Sequence, residues 1–499
     1  MADSSLKKIH NIERTMPCKV LLIKPNISVR YGFELQSKKS PPINLGYLAA
    51  MLGRSGHEAA IVDMVAESDE VRPHTGSHRA FGMSWEDLAA RIKDFGPNVV
   101  GLTGFTSQHT HIQGIIGAVK DAFPDILVIA GGVHATCMPR YVLETTRVDY
   151  VLQGQAEYTL VELADAWAAG EPERIKAIDG IAYRLGDEYV VTPKLHPLTE
   201  LDSLPWPARE LLSHPSYLKD GVAMPVMTSR SCPGHCSFCS IHVSAGKKWL
   251  QRDPIDVVDE IEHVRATWGY RTISITDDAC NVVPERLISI CKEILRRKLD
   301  VRLTFPSGLI IRYITKDLLH WMKQAGAISL SLPVEHINAH IRNAVIGKQL
   351  SLDKVFEVLG WCRELKILSI VNFVLGMPGE TEDTIAELFA FVREHAARFD
   401  SLSAYVATPF PGTAFYDNAL AAGYLTDPEK HQFLDFDCYT AHISTESMPM
   451  ERLQHHKAEL DRIFAACRGP EFPIAYIRKA IRKPDEETMD YINTVYFAS

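Results

Sequence analysis

The stretch "TSRSCPGHCSFCSIH", residues 228–242, packs Cys232, Cys236 and Cys239 into eight positions. Three thiols this close are more than a nucleophile needs and one short of a closed zinc site. Structural zinc would take a fourth ligand, and His235 or His242 could supply it. A cuboidal four-iron cluster on the same thiolates would instead leave one iron open to a further ligand. Gly234 lets the loop curl tightly enough to turn its sulfurs inward. The other cysteines (Cys18, Cys137, Cys280, Cys291, Cys362, Cys438 and Cys467) have no ligand spacing, and most read as small buried hydrophobes.

The elements that must position the triplet follow an alternating pattern. From residue 19 to 153, the apolar runs "KVLLIK", "AAIVDM", "NVVGLT", "ILVIAGG" and "DYVLQG" are separated by helical patterns such as Leu45, Leu48, Ala49 and Leu52. Continuous apolar strands between amphipathic helices predict a doubly wound α/β unit, with a parallel sheet buried on both faces. Such sheets bind ligands at the carboxyl ends of their strands, where strand order reverses. The loops there are "TGFTSQH", "GGVHAT" and "GQAEYT". Gly131 and Gly132 permit either close approach of a bulky ligand or simply a tight turn. Residues 154–222 hold Pro193, Pro197, Pro205, Pro207 and Pro215 and read as a connecting segment.

The rhythm resumes with candidate strands at 223–228, 271–276, 301–305, 328–332, 367–375 and 401–406. Asp253 as N-cap and Pro254 at the first helical position open a helix with Ile255, Val258, Ile261 and Val264 on one face. Six strand–helix units predict a partial (β/α)6 barrel over 223–425. Barrels place their chemistry on loops after the strands, where the triplet lies. Residues 426–499 have weaker strand signals and read as a small, mainly helical C-terminal region.

The C-x3-C-x2-C loop, with Phe238 before its last cysteine, resembles the radical S-adenosylmethionine superfamily. The resemblance implies a [4Fe-4S] cluster on Cys232, Cys236 and Cys239, with S-adenosyl-L-methionine on the open iron. It implies that Asp277 and Asp278 in "ITDDA" lie near the cofactor's amino group, helix capping being their ordinary alternative. It also implies that Glu335 in "LPVEH" meets the ribose hydroxyls, although His336 stands where the family has serine. "NFVLGMPGET" resembles the family's fifth-strand glycine motif, and Glu380, Glu382 and Asp383 equally suit a helix N-terminus.

The first half, with "PPINLGYLAAML", "IAGGVHAT" and "DYVLQGQAEYTL", is similar to the cobalamin-binding subgroup of that superfamily, over about residues 17–425. This implies a Rossmann-like cobalamin-binding domain at 17–153. Thr103, Phe105, Thr106, Ser107, Gly131, Gly132, Gly154 and Glu157 are its candidate cofactor contacts. The D-x-H-x-x-G cobalt-ligand motif is absent, so cobalt is expected to have no protein histidine below it; His109, His111 and His134 read as polar loop residues. The subgroup includes phosphonate methyltransferases, to which the layout is similar, and ring-forming enzymes. The implied activity is transfer of a methyl group from methylcobalamin to an unactivated carbon of a small molecule, after hydrogen abstraction by a 5′-deoxyadenosyl radical. An oxidative cyclase or rearrangement enzyme is the alternative. A sensor without turnover is disfavoured by Asp277, Asp278 and Glu335.

Substrate would sit between the cofactors, and Tyr405, Phe410, Tyr416 and His442 are candidates to face it. An external donor of the flavodoxin or ferredoxin type is expected to supply the electron. The net charge of −9 over 499 residues argues against a nucleic-acid binder. The start "MADSSLKKIHNIERTMPCKV" has no apolar core, and the run "ILSIVNFVLGM" falls short of the ~20 residues a membrane helix needs. Ten irregularly spaced cysteines suit a reducing cytoplasm. The basic cluster Arg478, Lys479, Arg482 and Lys483, followed by "DEE", reads as a solvated helix face.

Overall fold

The structure is a computed structural model that describes residues 16–31, 39–219, 222–425, 433 and 436–468. The alternation in the sequence becomes two parallel sheets. The first contains β1 (Lys19–Lys24), β2 (Glu58–Asp63), β3 (Val99–Thr103), β4 (Leu127–Gly131) and β5 (Tyr150–Leu152). These strands are parallel in the order β2-β1-β3-β4-β5, so the order reverses between β1 and β3. Along β1, Val20 and Leu22 join one core with Leu45 and Leu160. Leu21 and Ile23 point the other way, into a core with Ile112 and Ile116. Burial on both faces is why these strands read as unbroken apolar runs. The covering helices are α1 (Ile43–Arg54), α2 (His109–Ala122), the short α3 (Gly132–Cys137) and α4 (Glu157–Ala168).

The segment read as a connection supplies two more strands. β6 (Ile181–Leu185) and β7 (Glu188–Val191) form a hairpin that pairs antiparallel to β5 and extends the sheet. At this edge Leu185 and Val191 are exposed, so the apolar signal is broken and a sequence reading passes over it. Farther along, Arg209 joins the second sheet: it and Arg252 both pair with the fully buried Glu260.

The second sheet contains β8 (Met224–Val226), β9 (Thr272–Ile275), β10 (Arg302–Phe305), β11 (Ala327–Glu335), β12 (Leu368–Leu375) and β13 (Ser401–Val406). All neighbours are parallel and in chain order, with β8 and β13 at the two edges. The sheet is thus the open, six-stranded form of a barrel. In α5 (Pro254–Trp268), the Asp253 carboxylate accepts the N–H groups of Ile255 and Asp256, as a cap should. Val257, Val258, Ile261 and Val264 are its buried apolar residues, whereas Ile255, expected inside, lies in the first turn and is exposed. Two later helices, α6 (Glu382–His395) and α7 (Met450–Arg468), are joined by pairing of Glu382 with Arg452 and His456. The basic cluster at 478–483 lies outside the described residues. No helix among the described residues is long and apolar enough to cross a membrane.

Candidate functional site

The chain leaves β8 and reaches the cysteine loop through Thr228–Ser231. Asp277 braces this approach from beneath. Its carboxylate accepts the Thr228 N–H and hydroxyl, each at 2.6 Å, and the Ser229 hydroxyl at 2.5 Å. Burial raises the Asp277 carboxyl, against the pull of those bonds. Fully buried and supplied with three donors, Asp277 braces the backbone that leads into the loop. Asp278 accepts the Ser231 N–H at 2.7 Å and lines the cavity described below. Ser231 is held at φ 71, a conformation that non-glycine residues seldom adopt, one residue before Cys232.

Within the loop, the Gly234 N–H points at the Cys232 sulfur, 3.3 Å away. A Cβ at Gly234 would stand 3.4 Å from that sulfur, so the glycine provides room beside it. His242 Nε2 hydrogen-bonds the Cys232 carbonyl at 2.8 Å and is thereby committed to backbone. Among the described residues, no three His, Cys, Asp or Glu side chains gather closely enough to hold a single metal ion. A four-iron cube asks for something different, since each thiolate binds its own iron and the sulfurs stand apart. Burial pushes the Cys236 thiol up and the Cys239 thiol up to about 11. Thiols in such surroundings give up their protons to a strongly cationic group. The loop therefore fits a cluster better than zinc.

At the end of β11 the pairing with β12 slips between Pro333 and Glu335, and Glu335 sits at φ 69. Its carboxylate meets Lys348 Nζ at 2.8 Å, both side chains being largely buried. His336 turns the other way. It is fully buried, its Nδ1 accepts the Asn338 N–H at 2.9 Å, and its Nε2 faces Glu380 at 3.4 Å. Glu380 also accepts the Gly376 N–H at 2.8 Å, so it closes the turn after β12.

In the first domain a cavity of about 300 Å³ opens at the carboxyl edge of the sheet. Thr103, Gly131, Gly132, Gly154 and Glu157 line it, together with Tyr47 and Gln155. Arg230 and Asp278, from the approach to the cysteine loop and the end of β9, complete it. Gly132 is required here: it has φ 90, and a Cβ would fall 2.6 Å from the Thr103 hydroxyl. Gly154 also has a positive φ, 63, and its N–H donates to Thr136 at 2.9 Å. Arg230 spans the two sheets. Its guanidinium pairs with Glu157 at 2.7 Å, donates to Gln155 at 2.9 Å, and lies 5.7 Å over the Tyr47 ring.

The two halves match separate family models: the B12 binding domain over residues 37–164 and the Radical SAM superfamily over residues 226–392. The chain joins a B12-binding domain to a radical SAM domain. An uncharacterized methyltransferase of Pyrococcus horikoshii is 27% identical over 421 residues, 84% of each chain. The cytidylyl-2-hydroxyethylphosphonate methyltransferase of Streptomyces wedmorensis is also 27% identical, over 453 residues and 83% of each chain. Among solved structures, the radical S-adenosylmethionine methyltransferase TsrM of Kitasatospora setae, with cobalamin and a [4Fe-4S] cluster bound, superposes with a TM-score of 0.69. At 19% identity, with 91% of this chain and 92% of that one covered, the likeness is one of fold.

The remaining candidates fall into three places. Phe105 protrudes from the B12-binding domain, 67% exposed, whereas Thr106 is buried in a short helical turn and Ser107 is half-buried. These three do not line the cavity, because Gln108 folds the turn back: its side chain donates to the carbonyls of Pro25 and Asn26. In the radical SAM domain, Phe238, Tyr405 and Tyr416 share an apolar group with Cys236. Phe410 and His442 instead flank Phe436, at 6.0 and 4.5 Å between ring centres.

His109, His111 and His134, expected on loops, are buried in α2 and α3. Sequence reasoning also missed Arg230 and Lys348. Arg230 lies two residues before Cys232, a position that hints at a role, but nothing in the sequence brings Lys348 to Glu335.

Proposed function

We propose that the protein is a cobalamin-dependent radical SAM methyltransferase acting on an unactivated carbon of a small molecule. What carries this reading is the junction of the two halves: one cavity is lined both by the carboxyl edge of the B12-binding sheet and by the approach to the cysteine loop. In the proposed division of labour, residues 17–153 bind cobalamin and 223–425 bind the cluster and S-adenosylmethionine. Cys232, Cys236 and Cys239 hold the cluster. When bound, the cluster with S-adenosylmethionine supplies a 5′-deoxyadenosyl radical, and cobalamin supplies the methyl group.

The chain's own groups then position and exclude. Gly132 keeps the wall of the cavity flat where a Cβ would intrude, and Phe105 offers an exposed aromatic face beside the strand-order reversal. Asp278, beside the approach to the cysteine loop, and Glu335, at the end of β11, would offer carboxylates to the polar groups of S-adenosylmethionine. Phe238, Tyr405 and Tyr416 close the space beside Cys236 with apolar surface, which keeps water from a reactive radical. An external flavodoxin- or ferredoxin-type protein would deliver the electron in a reducing cytoplasm.

The test needs no substrate. Anaerobically reconstituted protein, given cobalamin, S-adenosylmethionine and a chemical reductant, should form both S-adenosylhomocysteine and 5′-deoxyadenosine. Cys236→Ala should lose its iron and all 5′-deoxyadenosine while keeping part of the S-adenosylhomocysteine. Wild-type protein that binds zinc and takes up no iron sinks the proposal.

A further inference from the structure

The ion pair between Glu335 and Lys348 is built against the cysteine loop, although the two residues lie on different turns of chain. The segment ending in Lys348 packs on the loop backbone, where the Ser237 N–H donates to the Ile346 carbonyl at 2.9 Å. Gly347 has φ 83, and a Cβ there would come within 3.0 Å of the His235 carbonyl oxygen. Only a glycine lets this segment lie so close to the loop. Lys348 itself is anchored through its N–H to the Arg342 carbonyl at 3.0 Å. Its ammonium reaches Glu335 at 2.8 Å, and its side chain is only 16% exposed.

A largely buried ammonium is costly unless it is paired, and one carboxylate would satisfy it. Cys236 lies between His235 and Ser237, the two loop residues on which this segment packs, and shares an apolar group with Ile346. Arg312, tied to the Gln349 side chain at 3.1 Å, adds a second cation to the same segment. The loop therefore has beside it a fixed cation that one carboxylate holds in place.

We propose that Lys348, held by Glu335, is a positioning residue that sets the reduction potential of the cluster on the loop its segment packs against. This rests on the reading of the three cysteines as cluster ligands and goes beyond it, because it assigns a role to a residue outside the motif. A one-electron reduction adds negative charge to a group already surrounded by thiolates. A nearby fixed cation stabilises the reduced form more than the oxidised one, in a site where water screens little. Removing the cation lowers the midpoint, and removing its anion raises it.

The experiment is an anaerobic potentiometric titration of the reconstituted cluster, followed by electron paramagnetic resonance, on the full-length protein. Lys348→Met should shift the midpoint downward and Glu335→Gln upward, with iron content as in wild type. Lys348→Arg should stay near the wild-type value, because it keeps the charge. Opposite shifts in the first two variants cannot come from loosened packing, which would act on both alike. If Lys348→Met fails to retain iron, Glu335→Gln still decides the matter by the direction of its shift. Midpoints that move together, or not at all, overturn the inference while leaving the cluster reading intact. Wild-type protein that takes up no iron overturns both.

Discussion

His134 has to carry its proton on Nε2, and two hydrogen bonds fix this. The Thr145 hydroxyl donates to the Tyr141 carbonyl, so its oxygen accepts from His109 Nε2 at 3.0 Å. His109 Nδ1 is then an acceptor and takes the His134 Nε2–H, also at 3.0 Å. His134 Nδ1 is left as a bare, buried lone pair with no partner among the described residues. Burial lowers His109 to about 4 and His111 and His134 to about 3. In the unfolded chain each would titrate near 6.5. Between these values the unfolded state binds more protons, so stability is complete above pH 6.5 and falls as the pH drops toward 4. The loss is about 1.4 kcal/mol per pH unit for each neutral histidine. The urea midpoint should therefore fall steeply from pH 7 to pH 5, and His134→Gln should flatten the slope. The same variant should leave the spectrum of bound cobalamin unchanged, since His134 does not line the cavity. A flat wild-type profile rejects the argument. At this scale the sequence was only partly legible. "ITDDA" marks two carboxylates, but which of them turns inward depends on where β9 ends. His336 likewise replaces a serine on paper, and only the fold shows it sealed against Glu380.

Elements were easier to read than residues, for a physical reason. A strand buried on both faces writes itself as a continuous apolar run, as β1, β3 and β4 do. The β6–β7 hairpin at the sheet edge buries only part of its residues and was missed. Contacts between elements leave no periodic trace at all, which is why Lys348 and the Arg230–Glu157 bridge had to await the structure. The glycine pair after β4 separates what was legible from what was not. Both residues read alike, yet Gly131 is extended, at φ −145, and a Cβ there would meet the Leu152 carbonyl at an ordinary 3.6 Å. Gly132 has φ 90 and no room beside Thr103. Gly131→Ala should therefore fold and bind cobalamin much as wild type does. Gly132→Ala should cost about 2 kcal/mol from backbone strain alone, with cobalamin binding weakened further. Denaturant unfolding and equilibrium dialysis read the two effects separately. Equal losses in the two variants contradict the assignment.

At the scale of the whole molecule, the two sheets meet where their strands end. Arg230 bridges this meeting, with its side chain among B12-domain residues and its backbone two residues from Cys232. A methyl group leaving one cofactor can reach a carbon activated by the other only if both face one substrate, and on the proposed reading the cavity shared by the two halves is where they would do so. It would serve a cyclase equally well, so the products must decide. Methyl transfer uses S-adenosylmethionine twice, through different bonds at one sulfur. Loss of the methyl leaves S-adenosylhomocysteine, whereas reductive cleavage toward the adenosyl carbon leaves methionine and 5′-deoxyadenosine. Only the second cleavage draws on the cluster. With the true substrate and a reductant, a methyltransferase should therefore release both adenosyl products in near-equal amounts. A trideuterated methyl group on S-adenosylmethionine should appear intact in the product, seen by mass spectrometry as three retained deuterons. A cyclase has no use for that methyl group. Turnover that yields 5′-deoxyadenosine with an unlabelled, modified product would reject methyl transfer and put ring formation or rearrangement in its place.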